Sequence, residues 1–135
     1  MDSLELTIET GPVPTVVDIT SECAQFVGTQ NDGLLSVFVP HATAGVAIIE
    51  IGAGSDRDLL AAIDELLPAQ PGKWSHQHGA PGHGRDHMVP GFVSPSVTVP
   101  VVAGRLALGT WQSVVLVDSN GDNRLRRVRL SFLGG

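Results

Sequence analysis

The stretch Leu34-Leu-Ser-Val-Phe-Val39 decides the fold class, because it is a nearly continuous apolar run between two chain reversals. The turn residues Asn31-Asp-Gly33 precede it, and Pro40 follows it. A short apolar run between such residues is typical of a strand that is buried on both faces. The sequence therefore predicts a buried strand here, with His41 at its end.

Further strands are predicted on either side of this run. Leu4, Leu6 and Ile8 alternate with polar residues, which indicates a half-buried strand at the edge of a sheet. Apolar residues predict the other strands at 46–50, 97–101, 105–108, 113–117 and 128–132. Most of the secondary structure is therefore expected to be sheet.

Two helices interrupt this series of strands. A short helix is expected to begin at a capping Thr20 or Ser21 and to end at Gly28. A longer helix begins with a capping box at Ser55 and stops before Pro68. Strands and helices in this irregular order predict a compact, strand-rich α+β fold, with one or two helices packed on the sheet.

The composition predicts one domain over residues 1–135, because 42% hydrophobic residues can form a core. The net charge of −6 and only eight basic residues argue against nucleic-acid binding. The lone Cys23 excludes an intrachain disulfide, and we expect it to be a small buried hydrophobe. No apolar run approaches the roughly 20 residues of a membrane span, and no signal peptide is recognised, so a cytoplasmic location is expected.

The loop from Gln70 to Gly91 holds four of the five histidines and is too long for a plain connection. His76 and His78 would lie on the same side of an extended segment, which is a usable spacing for one metal ion. Other residues that could complete the shell are His41, Glu50, Asp86 and His87. The alternative is a polar loop whose histidines are merely solvated.

Other candidate residues each have a functional and a structural interpretation. His41, with the Thr43 hydroxyl two residues later, could orient a substrate or act as a general base, or it could cap the strand. Glu50 either has a charged partner on an apolar strand face or lies exposed at an edge. Asp58 suits the positive end of a helix dipole, and Arg105 is a candidate anion ligand.

The stretch Gly104-Arg-Leu-Ala-Leu-Gly-Thr-Trp-Gln112 resembles the signature of the YjbQ family. Supporting matches are His41-Ala-Thr-Ala-Gly45, Glu50, Asp58, His76, His87 and Arg126-Arg-Val128. The resemblance implies a compact α+β domain that assembles as a homotrimer, with active sites near the subunit contacts. It also implies a secondary thiamine-phosphate synthase activity, a transferase reaction that joins a pyrimidine methyl diphosphate to a thiazole phosphate.

The resemblance assigns roles to individual residues. His41, His76 and His87 would bind a divalent metal, Mg²⁺ or Zn²⁺, or move protons. The implied catalytic set is His41, Thr43, Glu50, Asp58, Trp111 and Gln112. Arg105 and Arg127 would stabilise the departing diphosphate, while the ring of Trp111 would shield the carbocation.

Departures from the family pattern keep two alternatives open. Ala42, Ile49 and Val89 stand where the family has hydroxyl, amide and ammonium groups that could bind a substrate or metal. One alternative is a metal-dependent hydrolase or transferase that acts on another small phosphorylated molecule. The other is a non-catalytic trimeric binding protein with a decayed site.

Overall fold

Eight strands and three helical segments form the chain, and the computed structural model describes all residues, Met1–Gly135. The strands are β1 (Asp2–Glu9), β2 (Thr15–Asp18), β3 (Gly33–Phe38), β4 (Ala44–Ile49), β5 (Ser96–Val102), β6 (Arg105–Leu106), β7 (Ser113–Asp118) and β8 (Leu125–Gly134). The helices are α1 (Thr20–Val27) and α2 (Ser55–Leu66), and a 3-10 segment covers His83–Gly91. None of the helices has the length and apolar character needed to cross a membrane.

The strands form two antiparallel sheets. The larger sheet has the order β1-β8-β3-β5-β6, and the smaller one has the order β2-β7-β4. β1 pairs with β8 alone, which confirms the predicted edge strand. β3 pairs with both β5 and β8 and therefore lies in the middle of its sheet. The predicted strand-rich α+β architecture is confirmed.

The smaller sheet lies between the larger sheet and a layer formed by α2 and the 3-10 segment. Val114 and Leu116 of β7 pack into the core shared with the larger sheet. Val115 and Val117, on the opposite face of the same strand, pack with residues of α2 and the 3-10 segment. An unbroken apolar run suits β7 because both of its faces are covered.

The prediction that β3 is buried on both faces was wrong. Leu35 and Val37 are fully buried, whereas Leu34 is 45% and Phe38 is 43% exposed. These two apolar side chains lie on the outer face of the larger sheet, which no element of the chain covers. The apolar run therefore marks a central strand with one bare apolar face.

The predicted helix boundaries are close to the observed ones, but the predicted capping side chains are wrong. Asp18 accepts hydrogen bonds from the backbone N–H and the hydroxyl of Thr20, which is already the first residue of α1. Ser55 is likewise the first residue of α2, and Gly54 precedes it with φ of +100°. The end of α2 before Pro68 is confirmed.

Close backbone approach at Gly45 positions the chain that follows the 3-10 segment. A Cβ atom at this position would collide with the carbonyl oxygen of Val93. The next backbone N–H, from Val46, donates to the carbonyl oxygen of Ser94 at 2.8 Å. The close approach at Gly45 is therefore made to the protein backbone.

Burial of the single cysteine is also confirmed. Cys23 is fully buried on α1, facing the main core. Burial, with smaller contributions from Glu22 and Asp18, raises the pKa of its thiol to about 12. The thiol is therefore protonated at neutral pH and packs as a small apolar side chain.

Candidate metal centre

The segment between α2 and β5 folds back against the end of α2. The indole N–H of Trp74 donates to the carbonyl oxygen of Pro68 at 2.9 Å. The guanidinium of Arg85 donates to the carbonyl oxygen of Leu67 at 3.1 Å and to the carboxylate of Asp64 at 2.7 Å. A cation at the C-terminus of a helix satisfies free carbonyl groups and opposes the negative end of the dipole.

Gly84 allows the 3-10 segment to lie directly against the preceding loop. A Cβ atom at this position would collide with the carbonyl oxygen of His76 and would lie 2.9 Å from the Cβ of Trp74. The absence of a side chain thus brings His83, the first residue of the 3-10 segment, close to His76. The histidines from the two parts of the loop converge for this local steric reason.

Four histidines converge at this point: His76, His78, His83 and His87. One ring nitrogen from each of them lies within 4.8 Å of the corresponding atom of every other. The ring centroid of His76 lies 3.9 Å from that of His78 and 4.0 Å from that of His87. Only His78 is exposed, and the other three rings are half-buried. We refer to these four residues as the histidine cluster.

Three ring nitrogens in the cluster are candidate metal-binding atoms. The Nε2 atoms of His83 and His87 are 2.7 Å apart and share one hydrogen bond. The Nε2 atom of His76 is buried and has no hydrogen-bond partner. Tetrahedral zinc with bonds of about 2.0–2.1 Å separates its ligand nitrogens by roughly 3.3 Å. The Nε2 atoms of His83 and His87 would therefore have to move apart by roughly 0.6 Å to bind the same zinc ion.

The environment of the cluster favours the neutral, metal-binding form of two of its rings, His76 and His87. Burial, followed by the charges of His78 and His83, lowers the pKa of His76 below its ordinary value. Burial, followed by the charges of His76, His83 and His78, also lowers the pKa of His87. Neutral imidazole offers a lone pair at pH 7, so these shifts favour metal ligation.

A buried polar network lies behind the cluster and contacts the ring of His83. The carboxylate of Asp86 accepts hydrogen bonds from Arg85 at 2.6 Å, Ser119 at 3.0 Å and the Asn120 amide at 3.0 Å. The same amide nitrogen lies 2.9 Å from Nδ1 of His83. His83 is thereby connected to the turn after β7 and to the end of α2.

His41, a predicted member of the metal set, is not part of the histidine cluster within one chain. Its Nε2 accepts a hydrogen bond from the backbone N–H of Arg127 at 2.8 Å. Burial, followed by the charges of Arg126 and Arg127, lowers its pKa. In the isolated chain, His76 and His87 of the predicted trio lie together with His78 and His83, while His41 lies apart from them.

Thr43 belongs to a second buried network, which the sequence analysis missed. Its hydroxyl accepts a hydrogen bond from Arg126 at 3.1 Å. Arg126 also forms an ion pair with Asp118 at 2.6 Å, and the two side chains are only 4% and 1% exposed. The signal was present, because Arg126 alternates in phase with the buried Val128 and Leu130. A guanidinium on an apolar strand face requires a buried carboxylate partner.

Glu50 and Trp111 line a separate open pocket of about 560 Å³ that also includes Asp18. Trp111 is 72% exposed, and Glu50 lies exposed just beyond the end of β4. The exposed-edge interpretation of Glu50 is therefore the observed one. Gln112 folds back locally, since its side-chain oxygen accepts the backbone N–H of Gly109 at 2.8 Å.

The remaining predicted residues lie on exposed parts of the chain. Asp58 is exposed in the first turn of α2, where its negative charge lies near the positive end of the helix dipole. Arg105 is exposed on β6, and Arg127 lies on the outer face of the larger sheet, 3.9 Å from Glu5. The chain alone does not bring these two arginines to the histidine cluster.

A pocket of about 270 Å³ opens beside the cluster and is lined by Trp74, His76 and His83 among others. No Lys, Arg, Asp or Glu is among its lining residues. A cavity of this size next to convergent ligand nitrogens suits a small molecule that reaches a bound metal ion.

A family model described as "UPF0047 protein YjbQ-like" matches residues 4–135. A UPF0047 protein of Mycobacterium tuberculosis is 58% identical over 120 residues, which cover 89% of this chain and 90% of the relative. UPF0047 protein YugU of Bacillus subtilis is 34% identical over 137 residues, covering 96% of this chain and 97% of YugU.

Solved structures agree with these sequence relatives. A hypothetical protein from Aeropyrum pernix K1 superposes with a TM-score of 0.90 at 34% identity, and the match covers 100% of both chains. A YbjQ-like protein of unknown function from Sulfolobus solfataricus superposes with a TM-score of 0.88 at 27% identity, covering 99% of this chain and 97% of the other. With the family model matching nearly the whole chain, the protein belongs to the YjbQ (UPF0047) family.

Proposed function

We propose that the chain binds one divalent transition-metal ion through the histidine cluster and acts as a metal-dependent transferase or hydrolase on a small phosphorylated molecule. The observation that carries this proposal is the convergence of four ring nitrogens within 4.8 Å. The buried and unpartnered Nε2 of His76 supports it, because a metal ion would satisfy that atom.

The donor set favours zinc over magnesium. All four candidate ligands are imidazoles, and no carboxylate or thiolate belongs to the group. Imidazole nitrogen suits Zn²⁺, Ni²⁺ and Cu²⁺, whereas Mg²⁺ prefers oxygen ligands and keeps its bound water. Of the two metals expected from the sequence, Zn²⁺ is therefore the one we propose for this cluster.

The adjacent pocket supports an anionic substrate. Its lining contains no charged carboxylate, guanidinium or ammonium group, so a bound ion would be the dominant positive charge there. When bound, a divalent ion supplies Lewis acidity to a phosphoryl or carbonyl oxygen. His76 and His83 would hold the ion at the wall of the pocket, while Trp74 covers the neighbouring surface.

The test is metal titration of untagged, chelator-treated protein by calorimetry. We expect one Zn²⁺ per chain, no measurable Mg²⁺ binding at the same concentrations, and loss of Zn²⁺ binding in a His76→Ala His87→Ala variant. His41→Ala is the matched control and should keep wild-type affinity, because His41 lies outside the cluster. Wild-type protein that binds no Zn²⁺ overturns the proposed metal site.

Activity requires a separate measurement. The Zn²⁺-loaded protein would be incubated with a panel of small phosphate and diphosphate compounds, and the release of inorganic phosphate or diphosphate would be recorded. We expect release with at least one compound and none from the double histidine variant. Release that is unaffected by the double substitution would contradict a role for the cluster in the reaction.

The pocket beside Trp111 favours a second candidate, the thiamine-phosphate synthase reaction. In this reaction a C–O bond to diphosphate breaks, a C–N bond to the thiazole ring forms, and diphosphate leaves. The exposed ring of Trp111 could shield the carbocation, with Glu50 and Asp18 nearby to favour positive charge. Direct detection of thiamine phosphate tests the idea, and product formed equally well by Trp111→Ala would contradict it.

We also propose that the chain assembles as a homotrimer. Leu34, Phe38 and Leu133 are exposed on the uncovered face of the larger sheet, and a second copy would bury them. Light scattering should give three times the chain mass for wild-type protein and a smaller mass for Phe38→Lys. Val13→Lys, at an exposed position outside the sheets, is the control that should remain trimeric.

A further inference from the structure

His83 has two neighbours at Nδ1 that require opposite forms of its neutral ring. The carboxylate of Asp122 lies 3.0 Å from Nδ1 and can only accept a proton from it. The amide nitrogen of Asn120 lies 2.9 Å from the same atom and can only donate to it. Because Nδ1 cannot donate and accept at once, these neighbours favour different tautomers of His83.

The orientation of the Asn120 amide follows from its other hydrogen bonds. Its side-chain oxygen accepts the backbone N–H of Asp122 at 2.9 Å. Its nitrogen therefore faces the carboxylate of Asp86 at 3.0 Å. A flipped amide would place its oxygen against that buried carboxylate and would leave the backbone N–H without an acceptor. The amide hydrogen near His83 is thus determined by the surrounding contacts.

Each tautomer has a definite consequence at the other ring nitrogen. When Asn120 donates to Nδ1, the proton of the neutral ring lies on Nε2, and this nitrogen cannot bind a metal ion. When Asp122 accepts the proton of Nδ1, Nε2 carries a lone pair directed at the histidine cluster. The second amide hydrogen of Asn120 can then turn to Asp122, whose carboxylate oxygen lies 3.4 Å away.

We propose that Asp122 is the positioning residue of the metal centre, because it selects the His83 tautomer that presents the Nε2 lone pair to the ion. This inference rests on the proposed metal-binding function. The change of tautomer leaves the net charge of the ring unchanged, since the proton gained by Nδ1 replaces the one lost from Nε2. Carboxylate groups that orient ligating histidines in this way are common partners of zinc sites, and their loss weakens metal binding about 10- to 100-fold.

Asp122→Asn is the informative substitution, because it keeps the shape of the side chain and removes the strong proton acceptor. We expect Zn²⁺ to bind the variant about 10- to 100-fold more weakly than wild type in a chelator-competition titration. Asp56→Asn is the matched control, because it removes the same charge from the first turn of α2, where no side-chain hydrogen bond caps the helix. This variant should bind Zn²⁺ like wild type. The metal-free variants should melt within a few degrees of wild type, since Asp122 is exposed.

Nitrogen-15 NMR of the Zn²⁺-loaded wild-type protein provides a readout that a merely structural role would not change. We expect the proton of His83 on Nδ1 and the metal on Nε2. This measurement can overturn the role of Asp122 even if the variant fails to fold.

The possible failures are distinguishable. Wild-type protein that binds no Zn²⁺ overturns the metal site itself and this inference with it. Zn²⁺ binding by wild type together with equal affinity in Asp122→Asn, or with the His83 proton on Nε2, overturns the role of Asp122 alone.

Discussion

At the level of single residues, the five histidines occupy two different environments. Four of them form the histidine cluster, in which burial lowers the pKa of His76 and His87. His41 instead accepts a backbone hydrogen bond from Arg127 and lies beside two guanidinium groups. Both environments favour neutral imidazole, but only the first presents several lone pairs to one point. The same residue type therefore forms a candidate metal site in one place and accepts a backbone hydrogen bond in the other.

The environment of His41 predicts a measurable pH dependence. Its folded-state pKa should lie below the value of about 6.5 for an unperturbed ring. Protonation would remove the acceptor of the Arg127 N–H, so the stability contributed by His41 is complete above about pH 6.5 and is lost as pH falls through the folded pKa. NMR titration of the imidazole protons in the metal-free protein measures this pKa directly.

Two arginine variants separate the causes of this shift. Arg127→Gln removes a nearby charge but keeps the backbone N–H, so we expect the pKa of His41 to rise part of the way toward 6.5. Arg105→Gln removes an exposed charge on β6 and should leave the pKa unchanged. A wild-type pKa at or above 6.5 would show that burial and the arginines do not act on His41 as described.

At the level of elements, the 3-10 segment is the part of the chain that assembles the site. Its buried Val89 packs in the core beneath α2, and its Arg85 ties it to the end of that helix. His83 and His87, four residues apart, then face the histidines of the preceding loop. A segment predicted only as a long loop thus acquires a defined position through tertiary contacts.

Gly84→Ala should separate the two halves of the histidine cluster. The added methyl group collides with backbone at His76, which cannot move as a flexible side chain can. We expect about 1–3 kcal/mol of destabilisation in chemical unfolding and at least tenfold weaker Zn²⁺ binding. Gly91→Ala, where an added Cβ meets nothing within 4 Å, is the control. Equal Zn²⁺ affinity in both variants would contradict the steric account.

The Arg126–Asp118 pair joins the two sheets and should be expensive to break. Arg126→Met leaves the carboxylate of Asp118 buried without its charge partner, so we expect a loss of about 3–5 kcal/mol in urea unfolding. Arg129→Met on the same strand removes an exposed pair with Glu5 and should cost less than about 1 kcal/mol. Similar losses in the two variants would show that burial of the first pair has no special effect.

At the level of the whole molecule, metal binding and stability should be linked. An ion that binds only the folded chain at 100 times its Kd adds about 2.7 kcal/mol to the free energy of unfolding. For a chain of 135 residues this corresponds to a rise in Tm of roughly 10 °C. Scanning calorimetry should show this rise with Zn²⁺, its reversal by a chelator, and no rise with Mg²⁺. A Tm that is indifferent to Zn²⁺ would contradict the linkage.

Much of the architecture was predictable because its signals are local. Alternating residues such as Leu4, Leu6 and Ile8 show which face of a strand is buried, and Pro68 sets an upper limit for α2. The helix caps were mispredicted, because several residues near a helix start can satisfy the same free N–H groups and only backbone geometry selects among them. Burial of the outer face of β3 was mispredicted, because Leu34 and Phe38 are apolar although no element of the same chain packs against them.

The sequence alone determined most of the strands, both α-helices, the family and the presence of a histidine-rich segment, because periodicity, turn residues and short motifs are properties of neighbouring residues. Only the tertiary structure decided which histidines meet, because their convergence depends on the collision-free approach at Gly84 and on hydrogen bonds that span dozens of residues. His41 lies near a strand end, as predicted, but its hydrogen bond with the backbone of Arg127 keeps it outside the histidine cluster. Spacing along the chain limits which side chains can share a face, whereas packing and hydrogen bonding between distant segments determine which of them share a site.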